Sequence, residues 1–219
     1  HVTRERSTTE QGSFIKENAI WLRVRDAEWK IVDIASIALI GKHNVENVAA
    51  AAMAATLAGA SKAEIVTVCK TFTGLPHRLQ KVGEVAGVRY YDDSIATNPE
   101  SAIAAIEAFS DPKIVIVGGV TEGSDFTELG KVIANDRTIK AIIGIGTEWQ
   151  AIRSAIEEQK PFEHMLFIDV ARNMEQIVQA ASKLARTGDV VLLSPAGKSF
   201  DMFRSYQYRG DQFIDAVKS

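Results

Sequence analysis

Near its start the chain places hydrophobic positions in short runs broken by polar residues. Ser13-Phe14-Ile15-Lys16, Ala19-Ile20-Trp21-Leu22-Arg23-Val24 and Trp29-Lys30-Ile31-Val32 predict successive short strands, with Asp26-Ala27-Glu28 as a turn between two of them. Such a meander is a poor domain by itself and reads as the edge of a larger sheet. From Asn44 the period becomes helical. Val45, Val48, Ala49, Ala52, Met53 and Leu57 share one face, and Gly59 ends the run. A second helix is predicted over Lys62 to Thr71. Thr73-Gly74-Leu75-Pro76 then breaks the pattern, and a domain boundary is expected there, dividing the chain into 1–73 and 74–219.

Beyond Pro76 the pattern alternates. Four apolar runs read as buried parallel strands: Ile114-Val115-Ile116-Val117, Ala141-Ile142-Ile143-Gly144-Ile145, Met165-Leu166-Phe167-Ile168 and Val190-Val191-Leu192-Leu193. Helical patterns separate them, over Ser101 to Phe109, Phe126 to Ala134, Trp149 to Glu157 and Met174 to Ala185. Val88 to Asp93 supplies a further strand. Runs apolar on both faces, alternating with helices, predict an α/β domain with a doubly wound, mostly parallel sheet of Rossmann-like kind. Ligands are expected at the carboxyl ends of such strands.

Composition changes this picture little. The 219 residues are 46% hydrophobic and 24% charged, ordinary for a packed soluble protein. A net charge of −3 gives no field that would draw the whole chain to nucleic acid or an anionic membrane. No uncharged apolar run approaches the roughly 18 residues of a membrane span. The single cysteine, Cys69, sits in an apolar run and reads as a buried, inert thiol, in keeping with a reducing cytosol. The chain opens at His1 without a methionine or a secretory apolar core, and a piece of something longer is expected.

Candidate chemistry gathers at the strand ends. They run into Asp92-Asp93-Ser94-Ile95-Ala96-Thr97-Asn98-Pro99, Gly118-Gly119-Val120-Thr121-Glu122, Gly144-Ile145-Gly146-Thr147 and Ser194-Pro195-Ala196-Gly197-Lys198-Ser199. Glycine lets backbone approach a ligand, and a helix start offers unpaired N–H groups to an anion. Each loop alone is equally a strand-to-helix turn; four on one edge point to a site. Ala196-Gly197-Lys198-Ser199 resembles the end of a phosphate-binding P-loop, but the glycine that motif needs five positions earlier is Leu192, so a P-loop is rejected. Asn44, with Asn47 one turn on, is first of all a helix cap. His77-Arg78 is either a structural pair at a hinge or a donor fork suited to phosphate. Neither a Cys/His metal cluster nor a nucleophile elbow is present.

Together, Gly41-Lys42-His43-Asn44-Val45-Glu46-Asn47, Gly74-Leu75-Pro76-His77-Arg78-Leu79, Asp92-Asp93-Ser94, Ala96-Thr97-Asn98, Gly118-Gly119, Leu193-Ser194-Pro195-Ala196, Ser199-Phe200-Asp201-Met202-Phe203 and Arg209-Gly210-Asp211-Gln212-Phe213 resemble, in order and spacing, the signature of the Mur ligases, most of all the muramoyl-alanine:glutamate ligases. The resemblance covers nearly all the chain. It implies that 1–73 is the end of a central ATP-binding domain and 74–219 a carboxyl-terminal Rossmann-like domain. It implies an ATP-dependent ligase that adds glutamate to UDP-N-acetylmuramoyl-L-alanine through an acyl phosphate, in peptidoglycan precursor synthesis. ATP would meet Asn44, Asn47, Arg78 and Asp93, with His77 in support. The amino acid would meet Thr97, Lys198, Ser199, Phe200 and Tyr206. Mg2+ ligands and the Gly-rich ATP loop would precede His1, so this stretch alone would be inactive. A cytoplasmic monomer is expected.

The chain also departs from the family. Ile95 stands where the resemblance expects a lysine, and Glu122 stands where a second is expected. Losing both cations should repel an acidic substrate unless another enters, and Lys198 is the candidate. Two alternatives follow: a ligase that selects L-glutamate or another amino acid, and a non-catalytic module that binds nucleotide or a partner.

Overall fold

The computed structural model describes residues 2–3, 11–121, 123–159, 164–169 and 173–219. The chain divides into two compact units, His1–Gly74 and Leu75–Ser219.

In the first unit, β1 (Val2–Thr3), β2 (Gln11–Lys16), β3 (Ala19–Val24) and β4 (Ala27–Asp33) form one sheet in chain order. β1 runs parallel to β2, and the other pairs are antiparallel. Two-residue turns close the hairpins. Glu17 and Asn18 take φ of 51° and 58°, the backbone that a two-residue turn of matching twist demands. The second turn is Arg25-Asp26, with Arg25 at φ 54°, so β4 begins at Ala27, inside the stretch expected to turn. α1 (Lys42–Leu57) and α2 (Lys62–Thr71) cover the sheet. A reciprocal capping box starts α2: the Glu64 amide donates to Ser61 Oγ and the Ser61 amide to Glu64 Oε2. Ile20, Leu22, Ile31 and Val32 pack against Val48, Ala49, Ala52, Met53, Ile65 and Cys69. Burial pushes the Cys69 thiol above its ordinary pKa, as an inert core cysteine requires.

The second unit contains β5 (Gln80–Val85), β6 (Val88–Asp92), β7 (Lys113–Gly118), β8 (Ile139–Ile145), β9 (Leu166–Ile168) and β10 (Val190–Ala196). Its helices are α3 (Pro99–Ile106), α4 (Thr127–Asn135), α5 (Trp149–Glu157), α6 (Met174–Leu184) and α7 (Tyr206–Lys218). The sheet order is β5-β6-β10-β7-β8-β9, parallel throughout except for β5. This is the α/β, mostly parallel sheet that the alternating pattern predicts, except that β9, expected to be buried, is an edge strand with Leu166 exposed. α3 starts at Pro99, two residues before the expected Ser101, because Asn98 Oδ1 caps the Ser101 amide and Pro99 pre-sets the first turn. β5 and α7 have no counterpart in the sequence reading. β5 is an edge strand whose apolar residues are Val82 and Val85 alone, and α7 buries little that is apolar beyond Phe213 and Val217.

Topology sets where a ligand can lie. The chain steps from β6 past β10's place to β7, β8 and β9, then returns to insert β10 between β6 and β7. Right-handed crossovers therefore put α3, α4 and α5 on one face and α6 and α7 on the other, where the last two pack together. Ile114, Ile116, Ala141, Ile143, Val191 and Leu193 face α6 and α7. The intervening Val115, Val117, Ile142 and Leu192 are fully buried on the opposite side. β10 sends its chain to the face opposite to that used after β6 and β7, and such a reversal at the carboxyl ends is where open α/β sheets receive ligands.

Candidate functional site

The loop after β6 is the centre of that edge. Asp92, fully buried, ends the strand: its Oδ1 accepts from the Ser94 amide at 2.8 Å, and its Oδ2 lies 2.7 Å from His77 Nδ1. Asp93 is also buried. Its Oδ1 accepts from the Leu79 amide at 3.1 Å and its Oδ2 from Ser194 Oγ at 2.8 Å. Burial raises the Asp92 carboxyl above its ordinary pKa, against the pull of its His77 hydrogen bond. For Asp93, burial raises the pKa from 3.8 to about 7, against its bonds to Ser194 and Leu79, with the Asp92 charge adding to the rise and Arg78 opposing it.

α7 closes the arrangement from the other face. Arg209 is wholly buried and donates to Ser94 Oγ, to the Ser94 carbonyl and, through both terminal nitrogens, to the Gly197 carbonyl. Burial pushes its pKa down to about 10, opposed by the charges of Asp201 and Asp92. Ser94 Oγ donates in turn to the Tyr206 carbonyl at 2.8 Å, and the Tyr206 ring meets His77 edge-on. Gly210 lies against the His77–Asp92 pair so closely that a Cβ would collide with both.

The remaining loops interlock beside it. Val120 and Lys198 exchange backbone hydrogen bonds, which bridge the ends of β7 and β10. Gly119, at φ 134°, has its Cα against the Lys198 carbonyl, where a side chain would collide. Asp201 Oδ2 accepts from the Thr147 amide after β8 at 2.9 Å.

The second unit thus brings His77, Arg78, Asp93, Tyr206 and the Lys198-Ser199 loop to the same edge. Arg78 is exposed, while Thr97 is half-buried on the turn into α3. Ser199 is 2% exposed, and its hydroxyl has no hydrogen-bond partner among the described residues. Phe200 is 70% exposed. Lys198 is exposed, Ile95 half-buried, and Glu122 lies outside the described residues. In the first unit, Asn44 is not a cap. Gly41, at φ 98°, holds the cap position of α1, and Asn44 Nδ2 donates to the Ile40 carbonyl at 2.7 Å while its Oδ1 accepts from Asn47. Asp92, Ser94, Ser194 and Arg209 were assigned no role by the sequence reading. All four lie in segments of the family signature, and no periodicity in the sequence says that they meet. Among the described residues no group of three or more His, Cys, Asp or Glu is placed to hold a metal ion, and no helix is long and apolar enough to cross a membrane.

A mostly parallel sheet with helices on both faces and a polar cluster at its carboxyl edge defines the class as a Rossmann-like α/β domain. Residues 77–197 match the family described as Mur ligase, glutamate ligase domain, and the chain belongs to that family. Among curated relatives, the UDP-N-acetylmuramoylalanine–D-glutamate ligase of Thermoanaerobacter sp. is 40% identical over 213 residues, which cover 97% of this chain and 46% of that protein. The enzyme of the same name from Bacillus subtilis is 37% identical over 210 residues, 96% of this chain and 44% of its own. The chain thus spans about half the length of these relatives. Of solved structures, the UDP-N-acetylmuramate-alanine ligase of Thermotoga maritima has a TM-score of 0.59 at 16% identity, over 92% of this chain and 43% of that one. A pseudomurein peptide ligase type C from Methanothermus fervidus has 0.63 at 16%, over 97% and 43%. These two establish likeness of fold.

Proposed function

We propose that the whole protein is an ATP-dependent ligase that joins glutamate to UDP-N-acetylmuramoyl-L-alanine in the cytoplasm, and that this chain supplies the end of its central ATP-binding domain and its carboxyl-terminal domain. The supporting observation is the buried, unpartnered hydroxyl of Ser199 on the loop whose backbone Arg209 ties to the Asp92-Asp93-Ser94 loop. An unsatisfied buried hydroxyl costs about 1–3 kcal/mol, and a bound polar ligand repays that cost. In this reading Ser199, Thr97, Lys198, Phe200 and Tyr206 receive the amino acid. Arg78 offers its planar fork to the nucleotide phosphates, with Asp93 behind it and His77 beside it. Asn44 and Asn47 are the first unit's proposed contacts with ATP. Mg2+ would accompany ATP and neutralise phosphate charge, with ligands beyond those described. Such a site works by positioning an acyl phosphate and an amine and by neutralising charge. Ile95, in place of the family's lysine, favours a second reading in which L-glutamate, or another amino acid, is taken instead of D-glutamate.

The test is phosphate release by the full-length protein with ATP, Mg2+, UDP-N-acetylmuramoyl-L-alanine and each glutamate enantiomer in turn. Turnover with either supports ligation, and the preferred enantiomer decides between the two readings. A full-length protein that binds nucleotide but ligates no amino acid would return the chain to a binding module.

A further inference from the structure

The segment that carries Arg78 has a backbone that its sequence would not choose. His77 takes φ 61° and Leu79 φ 43°, both left-handed, and neither is glycine. Leu79 is branched, and such a backbone persists only where its surroundings over-determine it. Both adjacent carboxylates at the end of β6 turn back onto this segment. Asp92 Oδ2 lies 2.7 Å from the His77 ring, and Asp93 Oδ1 accepts from the Leu79 amide at 3.1 Å. Three more bonds hold the backbone: the His77 amide donates to Gln80 Oε1, the Arg78 amide to the Leu75 carbonyl, and the Ile95 amide to the His77 carbonyl. His77 is 8% exposed, its ring wedged against Gly210 and the Tyr206 ring. The exposed Arg78 therefore projects between two pinned residues.

We infer that His77 and Asp92 are a positioning pair, whose task is to hold the left-handed turn that aims the Arg78 guanidinium at a nucleotide phosphate. Neither touches the ligand; both act through Arg78. This rests on the reading of Arg78 as a phosphate contact. Asparagine is the natural substitute for His77, because it tolerates a left-handed backbone and its amide nitrogen can donate to Asp92 near the place of Nδ1.

The experiment is calorimetry of the full-length protein with the non-hydrolysable ATP analogue AMP-PNP and Mg2+. Arg78→Ala should weaken binding about tenfold or more, the scale of a lost charge-assisted contact. His77→Ala should weaken it comparably, His77→Asn should recover most of that loss, and His77→Ala added to Arg78→Ala should weaken it no further. A merely structural histidine would multiply its loss with that of Arg78→Ala, and that outcome overturns the inference. Should His77→Ala fail to fold, Asp92→Asn keeps the side chain's size and runs the same cycle. A loss with Arg78 present and none in its absence supports the pair; equal losses in both backgrounds overturn it. If Arg78→Ala itself binds normally, the phosphate reading beneath the inference fails with it. Failure of His77→Ala alone to matter sinks only the pair.

Discussion

Ser199 buries its hydroxyl without a hydrogen-bond partner among the described residues. Removing that group should leave stability unchanged or raise it by up to about 1 kcal/mol, since a buried polar atom without a partner is a liability. On the proposed function, Ser199→Ala should at the same time raise the amino-acid KM of the full-length protein by roughly tenfold, read from urea denaturation and steady-state kinetics on the same preparation. Asp93 makes the opposite kind of prediction. Its folded pKa, raised to about 7 from 3.8 by burial, means that the folded protein binds the proton more tightly than the unfolded chain. Stability from this group is complete below about pH 4 and is lost as pH rises through about 7, a swing of at most about 4 kcal/mol. Asp92, shifted in the same direction by burial, adds to that slope. Asp93→Asn should flatten the decline, measured by urea denaturation across that range; an unchanged slope would mean that the Asp93 charge is well solvated.

Individual elements depend on contacts of differing reach. The β5–β6 hairpin is local. Ala86 and Gly87 take φ of 50° and 77° between the paired Val85 and Val88, and alanine pays for a left-handed backbone that asparagine accepts. Ala86→Asn should therefore stabilise the protein by roughly 0.5–1 kcal/mol, checked as a higher urea midpoint with an unchanged slope. α7 depends on distant groups. Its first turns bury Arg209 and Gly210, and Arg209 satisfies the Ser94 and Gly197 carbonyls with a guanidinium that has given up its water. Arg209→Met fills similar space but strands those carbonyls, and should cost roughly 3 kcal/mol in urea denaturation. The loops after β6 and β10 should exchange amide hydrogens faster in that variant than in the parent, because the arginine is their shared anchor.

At the scale of the molecule, the second unit has what independent folding requires. Its six strands are covered by helices on both faces, and one core cluster runs from Val88 to Val217 within it. Residues 75–219 expressed alone should unfold in one cooperative transition by circular dichroism. A broad, non-cooperative melt would show that the unit borrows stability from the rest of the chain. Much of this architecture was legible beforehand. Apolar runs at β7, β8 and β10 are long enough, and flanked clearly enough by helical periods, that burial on both faces follows from the pattern alone. The same holds for α1 and α2, where spacing and punctuation agree. β5 escaped because a short edge strand with two apolar residues offers too few positions to show a period, and α7 because its apolar face is interrupted by the buried Arg209 and Gly210.

What the linear order of residues decided was local: which stretches pair, which coil, and the ordered motifs that mark the family. Side-chain periodicity reports whether a short segment has one buried face or two, and nothing beyond that segment. Only the tertiary structure decided that β10 lies between β6 and β7, which sets Ser194 against Asp93 across about a hundred residues of chain. Strand order is chosen by the handedness and packing of crossovers, and the polar partners at the sheet's edge follow from that choice. So the sequence named His77 and Arg78, but the fold revealed what pins their segment: two buried carboxylates, one on the His77 ring and one on the Leu79 amide, beside a left-handed backbone at His77 and Leu79.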